Sequence, residues 1–464
     1  MIQHSDHPTL SDYLARSSSL KRKAEQIVNC EPPYIYGVHG DWGAGKTSYL
    51  KQLRCHLDGS ESDCKGQFNP LLVKSHYKED VITIWFDAWR YQHEAVPVIA
   101  LIQEIRKQFG TWAKANRQTK KLLDVTVSSV LNGFDDFAKF LSLEASPISI
   151  KTIQTAGDSW EKDHLEQRLG IDKQHQFLEE AVDSILSTFL PRGKKRRLIV
   201  FIDDLDRCSP EAAYRLLEGL KVYLSLKNTV FVIGMNQQII EEAIAINLPQ
   251  ELLDHQQGHR FAALRMRAAA YLEKLCGNIE RLAPPSSPSG ILEKWLEPPQ
   301  LKQQVALALA DAANVQCLPP NPRRLKALAN LMNQWYPDYA SSLNGNETQA
   351  ALTLDMQSML FLAYSYQFHG DLFQRLHYTP AFFSEIIKWV NGLIPTSDLP
   401  DYFGALELPQ RALPSSSSSA TPGTTFTSNY PNPYSSKMFW IAPLLIEASL
   451  QETHVTPIMQ AICK

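Results

Sequence analysis

The chain has no CxxC pair, and its seven cysteines, at 30, 55, 64, 208, 276, 317 and 463, are odd in number. This argues against a disulfide framework and against a zinc site of ordinary spacing, and it fits a reducing compartment. The start, Met1-Ile-Gln-His-Ser-Asp, lacks a basic segment followed by an apolar run, so no signal peptide is expected. The longest apolar runs are Leu198–Ile202, Val230–Ile233 and Met438–Ile446. None reaches the roughly 20 residues that a spanning helix needs, so no membrane insertion is expected. Charge of one sign is scarce as well: 46 Lys and Arg stand against 49 Asp and Glu, a net −3. Net charge therefore gives nucleic-acid binding no support, although a local basic patch stays open. No internal repeat, nucleophile elbow or zinc-protease helix occurs, and His4, His7 and His39 show no metal spacing. The expectation is a soluble, cytoplasmic protein.

Composition is that of an ordinary globular chain, 44% hydrophobic and 20% charged, and 464 residues suffice for two or three domains. Four strands are predicted: Tyr34–Val38, Val81–Phe86, Leu198–Ile202 and Thr229–Ile233. All are apolar, and helical segments separate them. That alternation predicts an α/β fold with a parallel sheet flanked by helices, followed by an α-helical C-terminal region. A helix is expected over residues 8–29, with Leu10, Tyr13, Leu14, Leu20 and Ile27 on one side and Pro32-Pro33 ending it. After about residue 245 the strand signal disappears. The predicted organisation is an N-terminal helical segment (1–33), a core (34–245) with an insertion or side lobe at 110–175, a helical lid (246–412), a Ser/Thr/Pro-rich linker (413–437) and a C-terminal tail (438–464).

The chemistry begins at Gly40-Asp41-Trp42-Gly43-Ala44-Gly45-Lys46-Thr47-Ser48, which fits GxxxxGK[ST] between a strand and a helix. The glycines let successive backbone N–H groups turn inward on a phosphate, and the helix N-terminus favours an anion. Lys46 is assigned to the β- and γ-phosphates and Thr47 to Mg²⁺. Trp42 is either a core or partner contact or a neighbour of the nucleotide.

The third strand runs directly into Asp203-Asp204-Leu205-Asp206-Arg207. A carboxylate at the end of a buried strand beside a phosphate loop suits Mg²⁺, which assigns Asp203. Its neighbour Asp204 suits activation of the attacking water. Asp206 and Arg207 form either a local ion pair or, through Arg207, an arginine finger. At the tip of the fourth strand, Asn236 either holds the attacking water or caps a turn. Arg323 and Arg324, opening a helix after Pro322, either close over the nucleotide or lie on a solvated face. Arg192–Arg197 form either a solvated turn or a nucleic-acid contact, and Arg260, Arg265 and Arg267 lie either on a surface helix or at a subunit interface as an arginine finger.

Together GDWGAGKTS, WFDAWRYQHE (Trp85–Glu94), IDDLDRCSP (Ile202–Pro210) and NPRRLKALAN (Asn321–Asn330), with Tyr271-Leu-Glu-Lys274, resemble the KAP family of P-loop NTPases over residues from about 10 to about 335. The resemblance implies a sheet of the additional-strand, catalytic-glutamate type, with a strand between the two phosphate motifs. It implies ATP as nucleotide, a bacterial origin more often than not, and a frequent place in defence against phage or plasmids. Many members carry two membrane-spanning helices between the phosphate loop and the acidic strand. Here that stretch holds Asp135, Asp136, Lys139, Lys151, Asp158 and Glu161 and no long apolar run, so a branch without them is expected. Asp87 stands where Asn is expected. Arg90, beyond it, either packs at the sheet edge or senses the nucleotide. The expected activity is Mg²⁺-dependent ATP hydrolysis driving a switch or motor, alone as a homo-oligomer or with an operon-encoded partner. Nucleic-acid remodelling and an ATP-binding scaffold are the alternatives.

Overall fold

The computed structural model describes residues 7–59, 77, 79–94, 97–115, 179–180, 182–183, 186–187, 190, 196–222, 226–248, 260–310, 317–343, 345–395, 406–408 and 438–462. Most of the expected side lobe at 110–175, most of the basic run 192–197 and all of the stretch 413–437 lie outside these residues. The chain divides into two compact units. One comprises residues 7–41 and 45–282, the other residues 42–44 with the described part of 283–464.

The first unit is built on one five-stranded parallel sheet. Its strands are β1 (Tyr34–His39), β2 (Val81–Asp87), β3 (Arg197–Asp203), β4 (Thr229–Met235) and β5 (Asn278–Arg281), in the order β2-β3-β4-β1-β5. Every residue of β3 and β4 is buried, because both faces are covered. On one face Ile84, Phe86, Val200, Ile202 and Phe231 pack against α3 (Pro97–Ala115), α4 (Pro210–Val222), α5 (Gln237–Asn247) and α6 (Arg260–Leu275). On the other, Val38, Ile199, Phe201 and Val232 pack against α1 (Ser17–Asn29) and α2 (Lys46–Asp58). β4 lies between β1 and β3, the arrangement that the resemblance implies.

Three expectations need correction. The first helix starts at Ser17, not at residue 8. The Asp12 carboxylate accepts from the backbone N–H of Arg16 (2.8 Å) and Ser17 (2.9 Å), and Ala15 is left-handed at φ 54°, so helical geometry cannot run through this stretch.

The strand signal also does not end near 245, for Asn278–Arg281 pairs in parallel with β1 as the edge strand β5. Its sequence, Asn-Ile-Glu-Arg, has neither an apolar run nor a buried alternation. It is held instead by polar contacts with α1 and α2. Glu280 pairs with Lys23 (3.0 Å) and accepts from Ser19 Oγ (2.6 Å) and the Tyr49 hydroxyl (3.2 Å).

In consequence the sheet unit runs to residue 282 and takes in α1, so neither 33 nor 245 is a boundary between compact bodies.

In the second unit, α7 (Pro288–Trp295), α8 (Pro299–Ala310), α9 (Pro322–Ser342), α10 (Gln349–Phe368), α11 (Gly370–Tyr378), α12 (Phe382–Val390), α13 (Ala442–Glu447) and α14 (Glu452–Ile462) form a helical body. The C-terminal tail belongs to its core. The Tyr364 hydroxyl donates to the Met438 carbonyl (3.2 Å) and accepts from the Trp440 amide (3.1 Å), and Phe439 is fully buried.

Candidate functional site

The register of the sheet aligns the ends of four strands. Val38 lies opposite Gly234, Ile202 opposite Ile233, and Asp87 opposite Asp203. The loop after β1, the tip of β4 and the acidic end of β3 therefore open at one end of the sheet. In open parallel sheets that is where ligands bind.

In the loop after β1, Gly45 has φ +86° and is the N-cap residue of α2. A left-handed residue here is what lets the chain turn sharply into the helix, and glycine adopts it without steric cost. Lys46 opens α2 and folds back over the loop. Its ammonium donates to the Gly40 carbonyl at 2.7 Å and to the Asp41 carbonyl at 3.5 Å. Asn236 Nδ2 donates to Asp41 Oδ1 (3.0 Å), while Asn236 Oδ1 accepts from the Gln238 amide (3.1 Å). Asn236 is thus the cap of α5 and also braces the phosphate loop. Ser48 Oγ accepts from the Thr9 amide (3.2 Å), so it holds the N-terminal segment. His39 Nδ1 accepts from the Gln237 amide (2.9 Å), in keeping with a neutral ring whose pKa burial lowers.

Asp203 closes β3 with only 3% of its surface exposed. Its Oδ1 has no hydrogen-bond partner, and the neighbouring Thr47 hydroxyl favours its ionised form. Burial, and then the charge of Asp204, push its pKa up to about 7. A buried carboxylate oxygen without a donor, beside a helix-opening threonine, suits a hard cation that brings its own phosphate and water ligands.

Asp204 stands in the left-handed region at φ 56°, which Asp tolerates better than most residues. Burial raises its pKa, the nearby Arg207 opposes this, and Asp87 and Asp206 add to it. The pairing weighed between Asp206 and Arg207 does not form. Arg207 Nε lies 2.8 Å from Asp204 Oδ1, and its guanidinium sits 6.0 Å over the Trp89 ring. Asp206 pairs instead with Lys46, at 3.2 Å. Sequence reasoning missed this contact. Its one signal was the spacing: the short 3₁₀ turn Leu205–Arg207 carries Asp206 back towards the strand end.

At the end of β2, Asp87 pairs with Arg90 (2.9 Å) and its Oδ1 is buried without a partner. Trp89 and Arg90 are exposed, whereas Tyr91 stacks on Phe86 at 5.1 Å and donates to Glu104 (3.0 Å). On α6, Arg265 pairs with Glu242 of α5.

Within the helical unit, Asn321 caps α9 by accepting from the amides of Arg323 (3.0 Å) and Arg324 (3.2 Å), and its Nδ2 donates to the Trp42 carbonyl (2.8 Å). The Arg323 guanidinium lies 5.8 Å over the Trp42 ring, which is 65% exposed. Arg324 lies 5.3 Å over Phe368, and burial lowers its pKa.

A glycine-rich loop leading into a helix, a lysine folded over it and a buried carboxylate at a neighbouring strand end define a P-loop NTPase. The KAP family P-loop domain matches residues 16–263, more than half of the chain, and the chain belongs to that family. The fold is also similar to a solved structure of the Aeropyrum pernix ORC2 protein in ADPNP–ADP complexes. Identity there is 12% and the TM-score 0.35, over 79% of this chain and 70% of that one. No curated protein matches the chain.

Proposed function

We propose that this chain binds ATP with Mg²⁺, hydrolyses it, and uses turnover to drive a change of conformation or assembly. The observation that carries the proposal is Asp203 beside Thr47: a buried carboxylate with an oxygen that has no donor, next to the hydroxyl in the first turn of α2, at the end of the strand beside β4.

In this reading the loop Gly40–Thr47 binds the phosphates through backbone N–H groups, and Lys46 neutralises the β- and γ-phosphates. Thr47 and Asp203 hold Mg²⁺, which supplies positive charge against the phosphate oxygens when bound. Asp204 takes the proton of the attacking water, with Arg207 favouring its ionised form. Asn236 follows β4, the strand between the two motifs, and is assigned to orient that water. The same proposal extends to self-assembly or a separately encoded partner and to a place in prokaryotic defence against phage or plasmids. These parts rest on the family resemblance.

The test is ATP binding and steady-state turnover of the wild type beside Lys46→Ala and Asp204→Asn. Lys46→Ala is expected to lose most binding. Asp204→Asn is expected to keep binding and lose turnover by roughly 10²-fold or more. A wild type that binds no nucleotide in the presence of Mg²⁺ refutes the proposal.

A further inference from the structure

Lys46 carries three N–H donors, and three protein acceptors lie within reach of its Nζ: the Gly40 carbonyl (2.7 Å), the Asp41 carbonyl (3.5 Å) and Asp206 Oδ2 (3.2 Å). The first two belong to the loop backbone, whose carbonyls move only with the loop. The third is a side chain on a three-residue turn. Lys46 and Asp206 are each only 9% exposed, so the pair is shielded from water, and Asp206 Oδ1 has no hydrogen-bond partner. A phosphate oxygen arriving at Lys46 must take the place of one acceptor. It also brings negative charge towards a buried carboxylate, which water screens poorly.

We propose that Asp206 is an internal stand-in for phosphate: it holds Lys46 in the nucleotide-free protein and must let go before a nucleoside di- or triphosphate is gripped. The inference rests on the nucleotide-binding reading and deepens it. Asp206 acts through Lys46, so it is a positioning residue and not a catalytic one. The competition weakens apparent affinity by the fraction of molecules in which Lys46 is free. It also reverses the usual expectation for an acidic residue beside a nucleotide site, where loss of a metal ligand weakens binding. Here, loss of the carboxylate tightens it.

The turn that carries Asp206 also carries Arg207, which holds Asp204 at 2.8 Å. Release of Lys46 is thereby linked to the residue assigned to the attacking water. Phosphate capture and the setting of Asp204 become parts of one movement.

The experiment is equilibrium binding of a non-hydrolysable fluorescent ATP analogue with Mg²⁺ to four full-length chains: wild type, Asp206→Asn, Lys46→Ala, and the double variant. Asp206→Ser is carried beside Asp206→Asn, and circular dichroism shows that each chain folds. Asp206→Asn and Asp206→Ser are expected to bind roughly tenfold more tightly than wild type, which corresponds to Lys46 being free in about one molecule in ten. In the Lys46→Ala background the same change is expected to alter affinity by less than about twofold, since the gain passes through the lysine. Equal or weaker binding by both Asp206 variants overturns the inference while leaving the nucleotide site intact. So does a gain that persists without Lys46, because that marks a general change in the loop. Binding by neither the wild type nor the Asp206 variants removes the nucleotide site and this inference with it.

Discussion

Asp203 ends a strand in which every residue is buried, yet it is a carboxylate, and this sets stability against function at one position. Its pKa in the fold is raised, to about 7, mainly by burial. Between about pH 4 and pH 7 the folded chain therefore holds a proton that the unfolded chain has released, so stability falls as pH rises through that window. Asp203→Asn removes the cost of burying the charge. In the absence of Mg²⁺ at about pH 8 it is expected to stabilise the chain by on the order of 2 kcal/mol, measured by thermal unfolding, while Mg²⁺-dependent turnover is lost. Residues such as Lys46, Thr47 and Asp203 stand out in the sequence because phosphate and metal chemistry demands set spacings along one strand–loop–helix or strand end. The Lys46–Asp206 pair does not, since it joins residues 160 positions apart and exists only once β1 and β3 share a sheet. Asn236 shows the same limit. A strand-tip asparagine is visible as a cap, but its bond to Asp41 depends on the pairing of β4 with β1.

At the level of elements, β1 to β4 were legible because burial on both faces requires continuous apolar runs, and they have them. β5 was not, because an edge strand tied down by polar side chains carries no hydrophobic signature. Its stability rests on a different device. Lys23 is 5% exposed, sits 4.9 Å over the Tyr36 ring and has Glu280 as its ion-pair partner. Removing one partner of such a pair leaves the other charge buried and uncompensated. Glu280→Gln is therefore expected to cost about 2 kcal/mol in thermal or denaturant unfolding, with nucleotide affinity changed little. If the variant unfolds like the wild type, the pair is not what holds the edge. The helix over 17–29 shows a related failure of periodicity. Leu10 and Leu14 continue the apolar spacing of α1, but Asp12 takes up the backbone N–H groups that would extend it.

The chain as a whole comprises two compact units, and among the described residues no helix is long and apolar enough to cross a membrane. The helical unit carries its own acid sensitivity. His369 is buried beside Tyr364 (3.3 Å), and burial, with the nearby Arg324 adding to it, lowers its pKa to about 4. The unfolded chain binds a proton there in the interval from about pH 6.5 down to about 4 that the folded chain refuses, so stability is lost as pH falls through that interval. Between about pH 7.5 and pH 5 the His369 contribution alone is expected to lose roughly 2 kcal/mol, opposite in sign to that of Asp203, and His369→Gln is expected to leave the chain more stable at pH 5 relative to pH 7.5 than the wild type by that amount. An unchanged profile in the variant would place the acid sensitivity elsewhere.

The position of β5 also bears on how the protein is made. The edge of β1 that β5 covers belongs to a strand completed at residue 39, but its partner is not synthesised until residue 281. Throughout the intervening translation that edge offers unpaired backbone groups to any neighbouring chain, and Lys23 has no counter-charge. A nascent chain halted at residue 263, where the family match ends, would remain in that condition, whereas one released after residue 282 would hold all five strands of the sheet among the described residues. A product truncated at residue 263 is therefore expected to self-associate more than one truncated after residue 282, as sedimentation of the two would show.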